Sequence, residues 1–286
     1  MKRIAFFLLS YLCCFCMMTN AQEASDRFRQ INREFLDPAS PRVLIAAHRG
    51  AHLDAPENSL EAFRQTIDMG IDIIELDVRC TKDGQLVVIH DRTVDRTTNG
   101  KGAVDSLTFD EIRKLKLTFR GRQTDQQIPT LKEALMLAKG KILVDLDIKA
   151  VSCIDKIMKA VKETGTETSC FFFVTKIEQV KLLKEYDAGF RTLLRTNSGK
   201  DAQAALATIR SEAIHIDTSH NTKAVTDLIK RSGSRVWINA LGAVDEKAAG
   251  GQVEAFEEVL NEGANIIQTD QPALLKQYLE KTKRRQ

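Results

Sequence analysis

Proline and glycine are scarce in this 286-residue chain, at 5 and 15. With 43% hydrophobic and 28% charged residues, that scarcity excludes a collagen, a low-complexity chain and an intrinsically disordered one. An excess of one charge is also missing: Lys and Arg number 42 against 39 Asp and Glu, a formal net charge of +3. Two of those bases, Lys2 and Arg3, lie in a leader that is expected to be removed, so the charge balance gives no case for nucleic acid as a partner. Cysteine is sparse as well. Cys13, Cys14 and Cys16 fall in the leader, and the remaining Cys80, Cys153 and Cys170 are odd in number without a C-x-x-C pair. The expectation is no disulfide framework and no thiol chemistry, with Cys170 a buried small hydrophobe in Cys170-Phe171-Phe172-Phe173-Val174.

No apolar run reaches the ~20 residues needed to cross a bilayer. The longest, Ile4 to Met18, is broken by Ser10, follows Lys2 and Arg3, and precedes the small residues Thr19-Asn20-Ala21. That pattern predicts a secretory signal peptide over residues 1–21 and a mature domain over 22–286, exported to the periplasm or secreted, with no membrane span after cleavage. No small residue directly precedes a leader cysteine, so lipidation is not expected. Oligomeric state has no counterpart in the sequence.

The length suits either two domains of ~150 residues or one α/β barrel of ~250. After a polar amphipathic stretch from Glu23 to Leu36 and a break at Pro38 and Pro41, apolar runs alternate with segments of helical period. The runs Val43–Ala47, Ile73–Arg79, Ile142–Ile148, Cys170–Val174, Arg191–Leu194, Ala213–Asp217, Arg235–Ala240 and Asn265–Gln268 read as strands. Helices are expected over Ser59–Met69, Leu131–Ala138, Ile154–Thr164, Ile177–Tyr186, Ala202–Arg210, Lys223–Arg231, Gln252–Asn261 and Pro272–Lys281. Strand followed by helix throughout predicts an α/β fold, a (β/α)8 TIM barrel, since parallel strands need helical crossovers. Residues 92–127 are polar and read as a small insertion after strand two, and the basic tail Lys281–Arg285 reads as a solvated helix end.

Chemistry-bearing residues gather at the ends of the early strands. His48-Arg49-Gly50 closes strand one, where an imidazole and a guanidinium would face a barrel mouth; alone, the triplet fits a structural histidine better. Glu75 and Asp77 share one face of strand two by its period of two. Two acids in an apolar strand need a cation between them; one of them pairing with an arginine while the other reaches solvent is the weaker account. Asp145, Asp147 and Lys149 repeat the arrangement on strand three, where Lys149 suits either an acid neutralised in place or an anionic substrate. His90-Asp91 ends the apolar run Leu86–Ile89 and offers a second imidazole, while His215 and His220 read as structural.

Taken together, Ala47-His48-Arg49-Gly50, Pro56-Glu57-Asn58-Ser59, Glu75-Leu76-Asp77-Val78, Lys82-Asp83-Gly84, His90-Asp91 and Arg96-Thr97-Thr98-Asn99-Gly100 resemble the glycerophosphodiester phosphodiesterase family. Pro129-Thr130-Leu131, Asp147-Ile148-Lys149, Trp237-Ile238-Asn239 and Thr269-Asp270-Gln271-Pro272 extend the resemblance from about Leu44 to Leu275. It implies a TIM barrel that hydrolyses glycerophosphodiesters to an alcohol and glycerol 3-phosphate, with one divalent cation, Ca²⁺ or Mg²⁺, as cofactor. By the same resemblance Glu75, Asp77 and Asp147 are the metal ligands, Asp147 standing where the family usually has Glu. His48 and His90 would be the acid–base pair, Arg49, Lys149 and Trp237 substrate contacts, and Glu57, Asn58 and Asp145 the supporting shell, with Glu57 touching the metal directly or through water. A lysophospholipase D-like hydrolase, a metal-dependent sugar isomerase on the same barrel and a non-catalytic binding member are the alternatives. Acids clustered on strands two and three beside Arg49 and Lys149 favour phosphate over sugar, and retention of both histidines favours an enzyme.

Overall fold

The computed structural model describes residues 25–285, and the expected leader over 1–21 lies outside them. Eight parallel strands make the barrel: β1 Leu44–Ala47, β2 Ile73–Cys80, β3 Leu143–Ile148, β4 Cys170–Val174, β5 Arg191–Arg195, β6 Ala213–Ile216, β7 Arg235–Asn239 and β8 Ile266–Thr269. Each pairs with the next in chain order, and β1 pairs with both β8 and β2, which closes the ring. These segments are strands because they are apolar or β-branched and buried on both faces, as a sheet wrapped by helices demands. Outward residues such as Ile74, Leu76, Val144 and Leu146 pack on Phe63, Leu135 and Val161 of the surrounding helices. Inward residues, among them Ala46, Ile73, Leu143, Phe171 and Trp237, fill the barrel itself.

Helical residues 25–36 plug the bottom of the barrel. Phe35 stacks on Phe171 with ring centroids 4.7 Å apart, and Phe171 meets Trp237 edge-on at 5.9 Å. Arg235, fully buried, donates through its two terminal nitrogens to the carbonyls of Glu34, Asp37, Arg42 and Asn265, so backbone oxygens take the place of water around most of its guanidinium. Buried Asp72 gathers Arg27, Arg42 and Arg285. The basic tail is a solvated helix end only as far as Lys283: Arg285 is buried against Asp72, and Arg284 pairs with Glu257. A sequence window cannot show that an acid 213 residues away is waiting for it.

Helix Ala243–Ala249 has no counterpart among the expected helices. The expected helix Gln252–Asn261 is a 3-10 turn, Val253–Phe256, running into Glu257–Leu260. Residues 92–127 form a small body outside the barrel, with a capped helix Phe109–Lys114 and a hairpin pairing Thr118–Phe119 with Arg122–Gln123, over a satellite core that includes Val87, Val104 and Ile112. The short strand Leu86–Val88 pairs antiparallel with the end of β2, so the chain after it returns to the mouth. Cys80 and Cys153 form a disulfide, which corrects the expectation of unpaired thiols. Their sequence separation of 73 hides the pairing, but β2 and β3 are neighbours up to Val78 opposite Ile148, which brings the two following loops together. Closing a loop of that length contributes roughly 4 kcal/mol through the unfolded state. Cys170 is buried, as expected.

Candidate active site

Register builds the acidic centre. β2 and β3 pair Glu75 opposite Asp145 and Asp77 opposite Asp147, and all four face inward, which gathers four acids on two adjacent strands of the barrel. Carboxylate oxygens of Glu75, Asp77 and Asp147 lie within 4.8 Å of one another, a group able to hold a metal ion, and the shorter Asp147 side chain reaches far enough to join it. Burial pushes Glu75 well above the usual carboxylate range, and the charges of Asp77, Asp147 and Asp145 push further. Asp145 and Asp147 are raised too, first by burial, with Lys149 opposing. Asp77 Oδ1 and Asp145 Oδ1 are buried without a hydrogen-bond donor. Lys149 donates to Asp147 at 2.6 Å and lies 3.1 Å from Asp77 Oδ1 at an angle that makes no hydrogen bond. Lys149 and the Arg49 guanidinium, 3.5 Å from Asp77 and shared with Glu57, leave negative charge uncompensated among four acids, and an all-oxygen donor set with orphaned buried oxygens fits a hard divalent ion.

The loop after β1 carries the next layer. Arg49 has φ +56° and Gly50 φ +78°. A Cβ on Gly50 would come within 2.9 Å of Phe63 and 3.0 Å of Ala62, so helix Leu60–Asp68 packs where only glycine fits. The turn points the Arg49 amide at Glu75, 2.8 Å away, and its guanidinium at Glu57, 2.9 Å away, with Nε 3.5 Å from Asp77. Asn58, also at positive φ, donates to Asp77 at 2.7 Å and accepts from its backbone N–H at 3.3 Å. Asn58 is thus the motif residue that touches the acidic centre. Glu57 is held away from it by Arg49 and by Arg96 at 2.7 and 2.8 Å. Burial opposes the Glu57 charge, but the two arginines outweigh it and lower its pKa.

Both catalytic candidates are oriented alike. His48 Nδ1 lies 2.7 Å from Asp270, and His90 Nδ1 lies 2.8 Å from Asp91. A carboxylate on Nδ1 holds the proton there and leaves Nε2 to exchange one with a ligand. Asp91 is itself gripped by Arg96, which lowers its pKa strongly, so it stays ionised as the anchor. His90 reaches the mouth because the Ile89 N–H donates to the Asp77 carbonyl at 2.9 Å and Arg79 donates to the His90 carbonyl at 2.9 Å. Asp270 is braced by Asp245, which accepts its backbone N–H at 2.7 Å and the Thr269 hydroxyl. Burial raises the Asp245 pKa to about 6.

The sequence therefore names the histidines and the acids, and the structure brings them together at one barrel end. Asp91, Asp270 and Arg96 are the functional residues that sequence reasoning left without a role, although all three sit inside quoted motifs. His52, 3.5 Å from Asp270 and bonded to the His48 carbonyl, is a fourth. Trp237 lies elsewhere: it is 1% exposed inside the barrel, and its indole N–H donates to Asn239 at 3.0 Å. Its ring underlies the site and presents no face to a ligand. His215 is buried with both ring nitrogens unpartnered, and burial lowers its pKa to about 3, which suits the structural role expected of it.

Residues 48–274 match the model of the glycerophosphoryl diester phosphodiesterase family. A glycerophosphodiester phosphodiesterase of Caldanaerobacter subterraneus is 45% identical over 134 residues, which cover 44% of this chain and 55% of that relative. The chain thus matches about half the length of that curated relative. Among solved structures, a glycerophosphoryl diester phosphodiesterase from Parabacteroides distasonis superposes with a TM-score of 0.77 at 24% identity, covering 89% of this chain and 92% of the other. A glycerophosphodiester phosphodiesterase from Agrobacterium tumefaciens gives 0.70 at 28% identity, with 81% and 98% covered.

Proposed function

The chain belongs to the glycerophosphoryl diester phosphodiesterase family, and from that premise we propose that it hydrolyses glycerophosphodiesters to an alcohol and glycerol 3-phosphate at this barrel mouth. The observation that carries the reading is the pairing of two carboxylate-oriented histidines with the acidic centre of Glu75, Asp77 and Asp147. Ca²⁺ or Mg²⁺ held by those three acids would supply fixed positive charge where the nonbridging oxygens gain negative charge. Arg49 and Lys149, at the edge of the same cluster, orient the anionic diester. The family match removes the sugar isomerase from consideration, and the intact pair of histidines speaks against a binding protein without catalysis.

Among the described residues no cysteine, serine or threonine is paired with either histidine, so the nucleophile of this reading is the substrate's own 2-hydroxyl. Held beside phosphorus, it reacts with the effective-concentration advantage of an intramolecular group. One histidine takes the hydroxyl proton as the new O–P bond forms. The other gives a proton to the departing alcohol as its P–O bond breaks, leaving a cyclic phosphate that water opens with the roles reversed. A diester lacking the 2-hydroxyl is expected to bind with a KM near that of the parent and to turn over very slowly, and the cyclic phosphate is expected to be a substrate. Hydrolysis of the deoxy analogue at the parent rate, read as phosphate ester released, would replace this route by direct attack of water with one histidine as its base.

Water-soluble diesters fit better than lysophospholipids. The recess beside His52 is lined by the charged Glu57, Arg96 and Arg120, with Phe119 as its large apolar side chain. Export fits the leader, and the Cys80–Cys153 disulfide supports it, because such bonds persist in oxidising compartments.

A further inference from the structure

Beside the acidic centre, and outside it, the ends of β2 and β3 enclose a cavity of about 510 Å³. Arg79, Lys82, Arg92, Lys149 and Lys156 line it against a single acid, Asp105, and the Cys80–Cys153 disulfide forms part of its wall. Two of these bases tie the cavity to the catalytic groups: Arg79 donates to the His90 carbonyl, and Lys149 sits on Asp147. Lys156 donates to the Gly84 carbonyl at 3.0 Å, and both residues line the cavity. Among the described residues, no carboxylate lies within ion-pair distance of Arg79, Lys82, Arg92 or Lys156, whereas nearby Arg96 is matched twice, by Asp91 and Glu57. A concave wall with an excess of one sign of charge concentrates counter-ions and orients them. Its volume lies within the ~300–1,000 Å³ of small-molecule sites.

We propose that this basic recess binds a second phosphate carried by the substrate, on the ester arm that lies toward His90. The inference rests on the diesterase reading and narrows its substrate class: diesters whose head group is itself phosphorylated, or glycerol phosphate oligomers, are favoured over neutral or zwitterionic head groups. The chemistry shared by the two is a second phosphoryl group one polyol away from the scissile phosphorus.

Two paired comparisons test it. Glycerophosphoinositol 4-phosphate against glycerophosphoinositol asks about a terminal phosphate, and a glycerol phosphate dimer against glycerophosphoglycerol asks about a chain link. At least one pair is expected to show about a tenfold higher kcat/KM for the doubly charged member at low salt, and that ratio is expected to fall toward one in the variant Lys82→Ala/Arg92→Ala/Lys156→Ala. All three are exposed side chains, and a ratio taken within each protein cancels any shared effect on the chemistry. Ratios near one in the wild type, or a preference unchanged in the folded triple variant, overturn the proposal while leaving the diesterase reading in place. If no diester is turned over, the diesterase reading is what fails. Calorimetry with inositol 1,4-bisphosphate needs no turnover: affinity about tenfold higher in the wild type than in the triple variant supports the recess, and equal affinities overturn it.

Discussion

Replacing His48 or His90 by alanine lowers kcat on a glycerophosphodiester by at least ~10²-fold each, the usual contribution of a positioned proton donor or acceptor. Both imidazoles have Nδ1 committed to a carboxylate, Asp270 and Asp91, so each offers one ring nitrogen to the substrate and neither is spent on the fold. His215→Gln is the matched control. That imidazole is buried and neutral with its pKa near 3, and its loss is expected to cost less than about tenfold in a folded protein. Steady-state kinetics on the three variants, with unfolding curves to equalise stability, decides the assignment. A larger loss for His215→Gln than for either of the others would show that the proton-transfer pair lies elsewhere.

Glu75→Gln abolishes activity and yet stabilises the metal-free protein at neutral pH by about 1 kcal/mol, within the range of ordinary stabilising substitutions. The folded pKa of Glu75 is raised by burial and by Asp77, Asp147 and Asp145, above an unfolded value near ~4.3. Between those two pKa values the native state holds more protons than the unfolded chain, so stability falls as pH rises through that window. Glutamine removes the cost and can keep the hydrogen bond from the Arg49 amide. Urea unfolding in chelator at pH 5 and pH 7 is expected to show the advantage of the variant growing with pH. Added Ca²⁺ or Mg²⁺ reverses the order, because only the wild type gains binding free energy from the ion. A variant less stable than wild type in chelator at pH 7 would mean that the acidic centre is not under electrostatic strain.

Much of this was legible in the sequence because the information is local. A strand with inward acids at Glu75 and Asp77, beside another with Asp145 and Asp147, needs only period-two geometry and a barrel register to become a cation site. The barrel itself follows from apolar runs spaced by helices. What could not be read depends on contacts far apart in sequence. Cys80 and Cys153 meet because two strand ends are neighbours, and Arg285 finds Asp72 only after the chain has closed the ring. Asp91 and Asp270 were visible as motif letters, but their work of orienting the histidines is a matter of direction, which spacing does not encode. Trp237 misled for a related reason: its inward position sets it one layer below the mouth, against Phe171, so its bulk went to the core. Helix Ala243–Ala249 is a seven-residue helix of mostly small and charged residues between glycines, with too few apolar positions to show a period.

If the acidic centre of Glu75, Asp77 and Asp147 holds a catalytic cation, glycerophosphodiester hydrolysis by this chain depends on that metal. The direct measurement is glycerol 3-phosphate released from glycerophosphocholine by the purified chain, before chelation, after chelation and after return of Ca²⁺ or Mg²⁺, with metal content determined at each stage. Release is expected to fall to background on chelation and to recover with one of the two ions. Undiminished release from a preparation shown to be free of metal would contradict it.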